Sequence, residues 1–170
     1  MADYHTAVVV VPEIPASDLT PLERQVLSLA LGAVEGDGGV SFRSFEGLSD
    51  IVSIDPGDLR SAWTASQAAD SRLNRTIHTL LTAFDAADEA DKDSYIAVQL
   101  TDGLVGIAEI LQDVVRRSQT VREIVLIMSF LSTGIGVGGH GGSVTRITAD
   151  AVQYDTTDDV LARTRKDIST

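Results

Sequence analysis

The chain has no cysteine in its 170 residues. Disulfides, thiolate metal sites and cysteine nucleophiles are thereby excluded. Basic residues are scarce: Lys and Arg total 13 against 25 Asp and Glu, for a net charge of −12 and an isoelectric point near 4.4. The only lysines are Lys92 and Lys166. Neutralising several phosphates takes clustered Lys and Arg, so direct nucleic-acid binding is not expected, nor is binding to anionic lipid. Aromatic residues make up 5%, too few for a base-stacking platform. The histidines, His5, His78 and His140, are never four apart, so no helical zinc pair exists. No Gly-x-Ser-x-Gly elbow signals a hydrolase triad.

No targeting signal is expected either. The start, MADYHTAVVVV, has no basic region, and Pro12 and Glu13 follow its short apolar run, so no secretory signal is expected. Ile124 to Thr145 carries no Asp, Glu, Lys or Arg, but its dense apolar part ends near Leu131 and gives way to STGIGVGGHGGS. That pattern predicts a buried strand and a glycine loop rather than a membrane span. The expectation is a soluble, cytoplasmic protein.

What is present is an ordinary globular composition, 44% hydrophobic and 22% charged. One compact domain over residues 1–170 is the default at this length. Thr6–Val11, apolar on both faces, reads as a central strand closed by Pro12. Thr20, Pro21 and Glu23 form a capping box with a favoured proline, opening a helix whose stop is placed at Gly36. Val40–Phe45 and Asp50–Ile54 read as short strands with Gly47 in the turn between. Asp55–Pro56 opens a further helical stretch reaching Phe84, and its continuity across Ala68–Ser71 is left open. After the acidic connection Asp85–Asp93, Ser94–Leu100 reads as a strand. A helix capped at Asp102 carries Leu104, Ile107, Ile110, Leu111, Val114 and Val115. Arg122–Leu131 reads as a strand too hydrophobic to be exposed. Val144–Tyr154 resumes strand character with a bend near Ala149–Asp150, and Thr156 with Asp159 caps a final helix.

The expected fold is therefore α+β, with a mixed or largely antiparallel sheet covered by helices. The element order divides into two β-α-β-β-α halves, approximately 1–85 and 94–170; residues 1–85 carry a net charge of −7 and residues 86–170 one of −5. An alternative parse takes the first six elements as a ferredoxin-like unit with a C-terminal extension.

Candidate sites are few. The tract with Gly134, Gly136, Gly138, Gly139, His140, Gly141 and Gly142 is expected to be a loop, Gly134–Gly142. Such a loop can offer backbone amides to an anion, with His140 as a base beside it. It lacks the helix of a dinucleotide fingerprint and the Gly-Lys-Ser/Thr ending of a P-loop, so a plain connection is favoured. Glu35 to Glu46 has some calcium-loop spacing, but Val40 stands where glycine is required. A turn explains it better. Asp85, Asp88, Glu89, Asp91 and Asp93 read as a solvated run. Arg116–Arg117 is a candidate contact pair at a helix end. No catalytic residue, cofactor or metal is assigned.

Three segments, HTAVVVVPEIPASDLTPLERQVLSLAL, LQDVVRRSQTVREIV and GGSVTRITADAV, together resemble a set of small uncharacterised proteins encoded on bacterial plasmids and integrative elements. The resemblance implies an accessory role in a mobile element and supplies no catalytic residue. The glycine tract departs from it, standing where a bulkier, aromatic-containing loop is expected. The leading expectation is a non-enzymatic interaction or regulatory protein with a protein partner. The alternatives are a small phosphate-ligand-binding protein or enzyme using the glycine loop, and an acidic nucleic-acid mimic inhibiting a DNA-binding protein. A homodimer is compatible with an open strand edge.

Overall fold

The computed structural model describes residues 4–101, 105–132 and 140–167. Among the described residues, eight strands and five α-helices follow in the order β1 (Tyr4–Val11), α1 (Pro21–Leu31), β2 (Ala33–Gly36), β3 (Gly39–Ser44), β4 (Ile51–Ile54), α2 (Pro56–Ser66), α3 (Arg72–Ala86), β5 (Ile96–Gln99), α4 (Ile107–Arg117), β6 (Glu123–Ser132), β7 (His140–Thr148), β8 (Val152–Thr156) and α5 (Thr157–Asp167). Six strands form one sheet in the order β2-β3-β1-β6-β7-β8, and β4 pairs with β5 in a second sheet. Every named pair is antiparallel. The fold is α+β.

Alternation sorts the two faces of the large sheet. Val8 and Val10 of β1, Val40 and Phe42 of β3, Ile124 and Leu126 of β6, and Ile147 of β7 are buried and belong to one hydrophobic core. Leu22, Val26, Leu27 and Ala30 of α1 and Ile110, Leu111, Val114 and Val115 of α4 complete that core. Both helices present one apolar stripe at helical spacing, which buries only against a sheet or another helix. Val52, Ile54, Ile96 and Val98 bring the small sheet into the same core, with Leu73, Ile77 and Leu81 of α3.

Local signals explain many element ends. The Thr20 hydroxyl accepts from the Glu23 N–H at 3.2 Å, and Glu23 Oε2 accepts from the Thr20 N–H at 3.0 Å. Thr156 and Asp159 reciprocate the same way at the start of α5: Asp159 Oδ2 accepts from the Thr156 N–H at 2.9 Å, and Thr156 Oγ1 accepts from the Asp159 N–H at 3.1 Å. Asp55 and Ser71 cap α2 and α3, so Pro56–Ala86 is two helices broken at residues 67–71.

Several expectations are corrected. The first helix stops at Gly32, not Gly36, because Gly32 takes a φ of 88°, which a side chain opposes. Residues 33–36 then form β2, an edge strand exposed throughout. The fourth helix is capped by Gly106, whose N–H is held by Glu109 Oε2 at 3.1 Å. Asp102 and Leu104 lie outside the described residues. The strand β6 is not buried on both faces: Ile127 is 39% and Leu131 45% exposed, because no helix of the α1–α4 layer covers that side. The ferredoxin-like parse fails, since β4 and β5 pair apart from β1 and β3. The halves run β1-α1-β2-β3-β4-α2-α3 and β5-α4-β6-β7-β8-α5, three strands after each first helix, and their pairings differ: β1 sits at the centre of the large sheet, whereas its counterpart β5 sits in the small one.

Candidate interaction surface

The side of the large sheet away from α1 and α4 is apolar and largely open. Register places its side chains in rows across the strands. One row runs Arg43, Val9, Ile127, Val144, Asp155 across β3, β1, β6, β7 and β8. The next runs Val11, Val125, Arg146, Gln153. In the other direction His5, Leu131 and His140 share a row on β1, β6 and β7. Val11, Ile127, Leu131 and Val144 are between 39% and 45% exposed. A scattered apolar residue means little on a protein surface, but a contiguous patch marks a contact site.

The final helix, α5, flanks this patch. Arg163 Nη1 bonds Asp155 Oδ1 at 2.6 Å, and the Thr157 hydroxyl accepts from the Gly142 N–H at 3.3 Å. Between α5 and the sheet lies an apolar groove of about 230 Å³ lined by Ile127, Val144 and Val160. Val160 and Leu161 remain about half exposed. The charges on the face nearly cancel: Arg146 pairs with Glu123, Arg163 with Asp155, and Arg43 adds one positive charge. The acidic excess of the chain therefore lies on other surfaces.

The residues singled out from sequence are placed differently. His140, Gly141 and Gly142 belong to β7 and pair with Leu131, Phe130 and Ser129, so that end of the tract is a strand rather than a loop. Close approach accounts for the two glycines. A Cβ at Gly141 would lie 2.3 Å from Cζ of Phe130, and one at Gly142 would lie 2.6 Å from the Met128 carbonyl oxygen. Gly134, Gly136, Gly138 and Gly139 lie outside the described residues. Arg116 and Arg117 make internal ties. Arg116 donates to the Ala149 carbonyl at 2.8 Å, and Arg117 donates to Glu23, a wholly buried carboxylate, at 2.6 Å. Neither is an isolated surface contact.

A second ionic cluster joins α3 to α4. The Arg72 guanidinium donates to both oxygens of Asp113, to the Glu109 carbonyl and to Gln112 Oε1, while the Arg72 N–H donates to Asp113 Oδ2 at 2.8 Å. Burial pushes the Asp113 carboxyl up. The bonds from Arg72 and the charges of Arg72 and Arg116 outweigh that and hold it below the usual carboxylate range.

Two concavities face elsewhere. One, of about 480 Å³, lies at the start of α4 and is lined by Leu100, Glu109, Leu126, Thr145 and Tyr154. The other, of about 520 Å³, lies between α2 and α3 beside the stacked rings of Trp63 and His78. The second is also lined by Asp70 and Thr79; Asp70 pairs with Arg75, and the Thr79 hydroxyl donates to the Arg75 carbonyl at 3.1 Å. Among the described residues no three His, Asp or Glu side chains converge as a metal site. In the acidic connection, Asp85 pairs with Arg60 and Glu89 with Lys92. Among the described residues no helix is long and apolar enough to cross a membrane.

Sequence reasoning missed the patch formed by Val9, Ile127 and Val144. Its signal was present, since β1 and β6 are apolar at both odd and even positions. That pattern equally describes a strand buried on both faces.

Fold and site together define an α+β protein with one helix-covered and one largely open sheet face. Comparison with protein-family models, curated proteins and solved structures gives no match.

Proposed function

We propose that this chain is a non-enzymatic interaction protein that engages its partner through the open face of β1, β6 and β7. One observation carries the reading: the apolar row Val9–Ile127–Val144 lies on the sheet face that α1 and α4 leave uncovered and that α5 only flanks, at charge balance, in a chain of net charge −12. Leaving such a row in water forfeits about 25 cal/mol for each Å² of apolar surface that a partner would cover. The resemblance to plasmid and integrative-element proteins supports an accessory role within a mobile element.

The test is capture from the native cell with the wild-type chain and with Ile127→Asp as parallel baits. A stoichiometric partner, a second copy of the chain included, is expected on the wild type and not on the variant. An identical set of captured proteins on both baits would refute the reading.

A further inference from the structure

We infer that the occupant of the open face is a second copy of this chain, packed sheet to sheet about a two-fold axis running along the strands. The inference rests on the interaction reading above. Three features of the face select a copy over an unrelated partner.

The first is the row Arg43–Val9–Ile127–Val144–Asp155, which has a cation at one end, a carboxylate at the other and three branched apolar residues between. A two-fold axis along β6 lays the row on its own reverse. Ile127 meets Ile127, Val9 meets Val144, and Arg43 of each copy reaches the Asp155 end of the other, beside α5. A two-fold contact requires this kind of self-complementarity.

The second is charge. Two copies of a chain with net charge −12 repel, and like charges set against each other cost association dearly. On this face both carboxylates, Glu123 and Asp155, already hold arginines, and Arg43 is in excess. Contact here brings no uncompensated acid against acid.

The third is area. Five strands about 4.8 Å apart and about eight residues long, at about 3.3 Å per residue, give a flat footprint of roughly 600 Å² before side-chain relief. The half-exposed Val160 and Leu161 of α5 extend it. That approaches the roughly 800 Å² that each partner contributes to a standard interface. Aligned packing of two twisted antiparallel sheets at about 10 Å separation is a common way to close such a face.

The experiment is sedimentation equilibrium of the purified full chain up to about 100 μM, a range that reports micromolar self-association. Wild type is expected at twice its 18.0 kDa chain mass. Ile127→Asp and Val144→Asp place an unpaired carboxylate in the apolar row and are expected to weaken self-association about a hundredfold or more. Their circular dichroism should stay native, because both positions are solvent-exposed in the monomer. Leu29→Glu, at an exposed position on α1 within the helix layer, is expected to leave the dimer unchanged. Arg43→Glu is expected to weaken it about tenfold, and an unchanged affinity would overturn the reversed arrangement of the row. A wild type that stays monomeric throughout overturns the inference, as does a dimer that resists both aspartate variants. A monomer that nonetheless captures a different protein, with capture lost in Ile127→Asp, would sink the second copy while leaving the interaction reading intact.

Discussion

Removing the Arg72 guanidinium tests how α3 is fastened to α4. Asp113 has a side-chain exposure of 7% and Arg72 of 26%. In Arg72→Met the hydrocarbon stem is kept, and Asp113 retains the residue-72 N–H at 2.8 Å and Arg116 Nη1 at 3.3 Å. Breaking a fully buried ion pair from one side costs about 3–5 kcal/mol. Water can enter where the quarter-exposed guanidinium stood, and two donors remain, so about 2–3 kcal/mol is expected. For a chain of 170 residues that lowers the thermal midpoint by roughly 6–8 °C, from an unfolding entropy of about 2.1 cal/mol/K per residue. Urea denaturation of wild type, Arg72→Met, Asp113→Leu and the double variant supplies the cycle. The double variant should cost at least about 1 kcal/mol less than the two single changes together, because each single change strands a buried group that the other removes. A cost under about 0.5 kcal/mol for Arg72→Met, with additive behaviour, would refute the claim that this cluster couples the helices.

The same cluster sets an acid limit. The Asp113 carboxyl titrates lower in the folded chain than at its ordinary value of 3.8. Its contribution is therefore fully present above 3.8 and is lost as pH falls through the lowered folded value. Asp113→Asn should flatten the fall of stability below pH 3.8 when denaturation is followed by circular dichroism, and an unchanged slope would show that Asp113 contributes nothing there. The two strand glycines should differ. Gly142→Ala presses a Cβ against the Met128 carbonyl, a backbone atom, and is expected to cost about 2–3 kcal/mol. Gly141→Ala presses only on the ring of Phe130, which is 43% exposed and can swing aside, for about 1 kcal/mol or less. Thermal denaturation ranks the pair, and the reverse order would contradict the close-approach account of the tract.

Legibility in the sequence followed the range of the interaction. The box at Thr20 and Glu23, the cap at Asp55 and the pair Thr156 with Asp159 all involve residues within three positions, so spacing alone revealed them. The centre of the sheet was legible at β1 because six successive branched or small residues suit a strand flanked on both sides. The strand β2 was hidden because its four residues are exposed and carry no alternation. Glycines 141 and 142 were misread because glycine marks both open turns and places where a neighbouring strand leaves no room for a Cβ. Arg117 looked free because its acceptor, Glu23, lies 94 positions away, and the tie from Arg116 to the Ala149 carbonyl spans 33.

By itself, the amino-acid order determined the α+β class, most helix starts, the lack of thiol chemistry and the acidic balance. Each of these depends on composition or on neighbours along the chain. Tertiary structure alone decided that β1 pairs with β6 rather than with β5, and that one face of the resulting sheet lacks a helix layer. Alternation tells how many faces of a strand are apolar. Whether a layer then covers each face depends on where distant helices pack, and α1 and α4 both join the core on the same side.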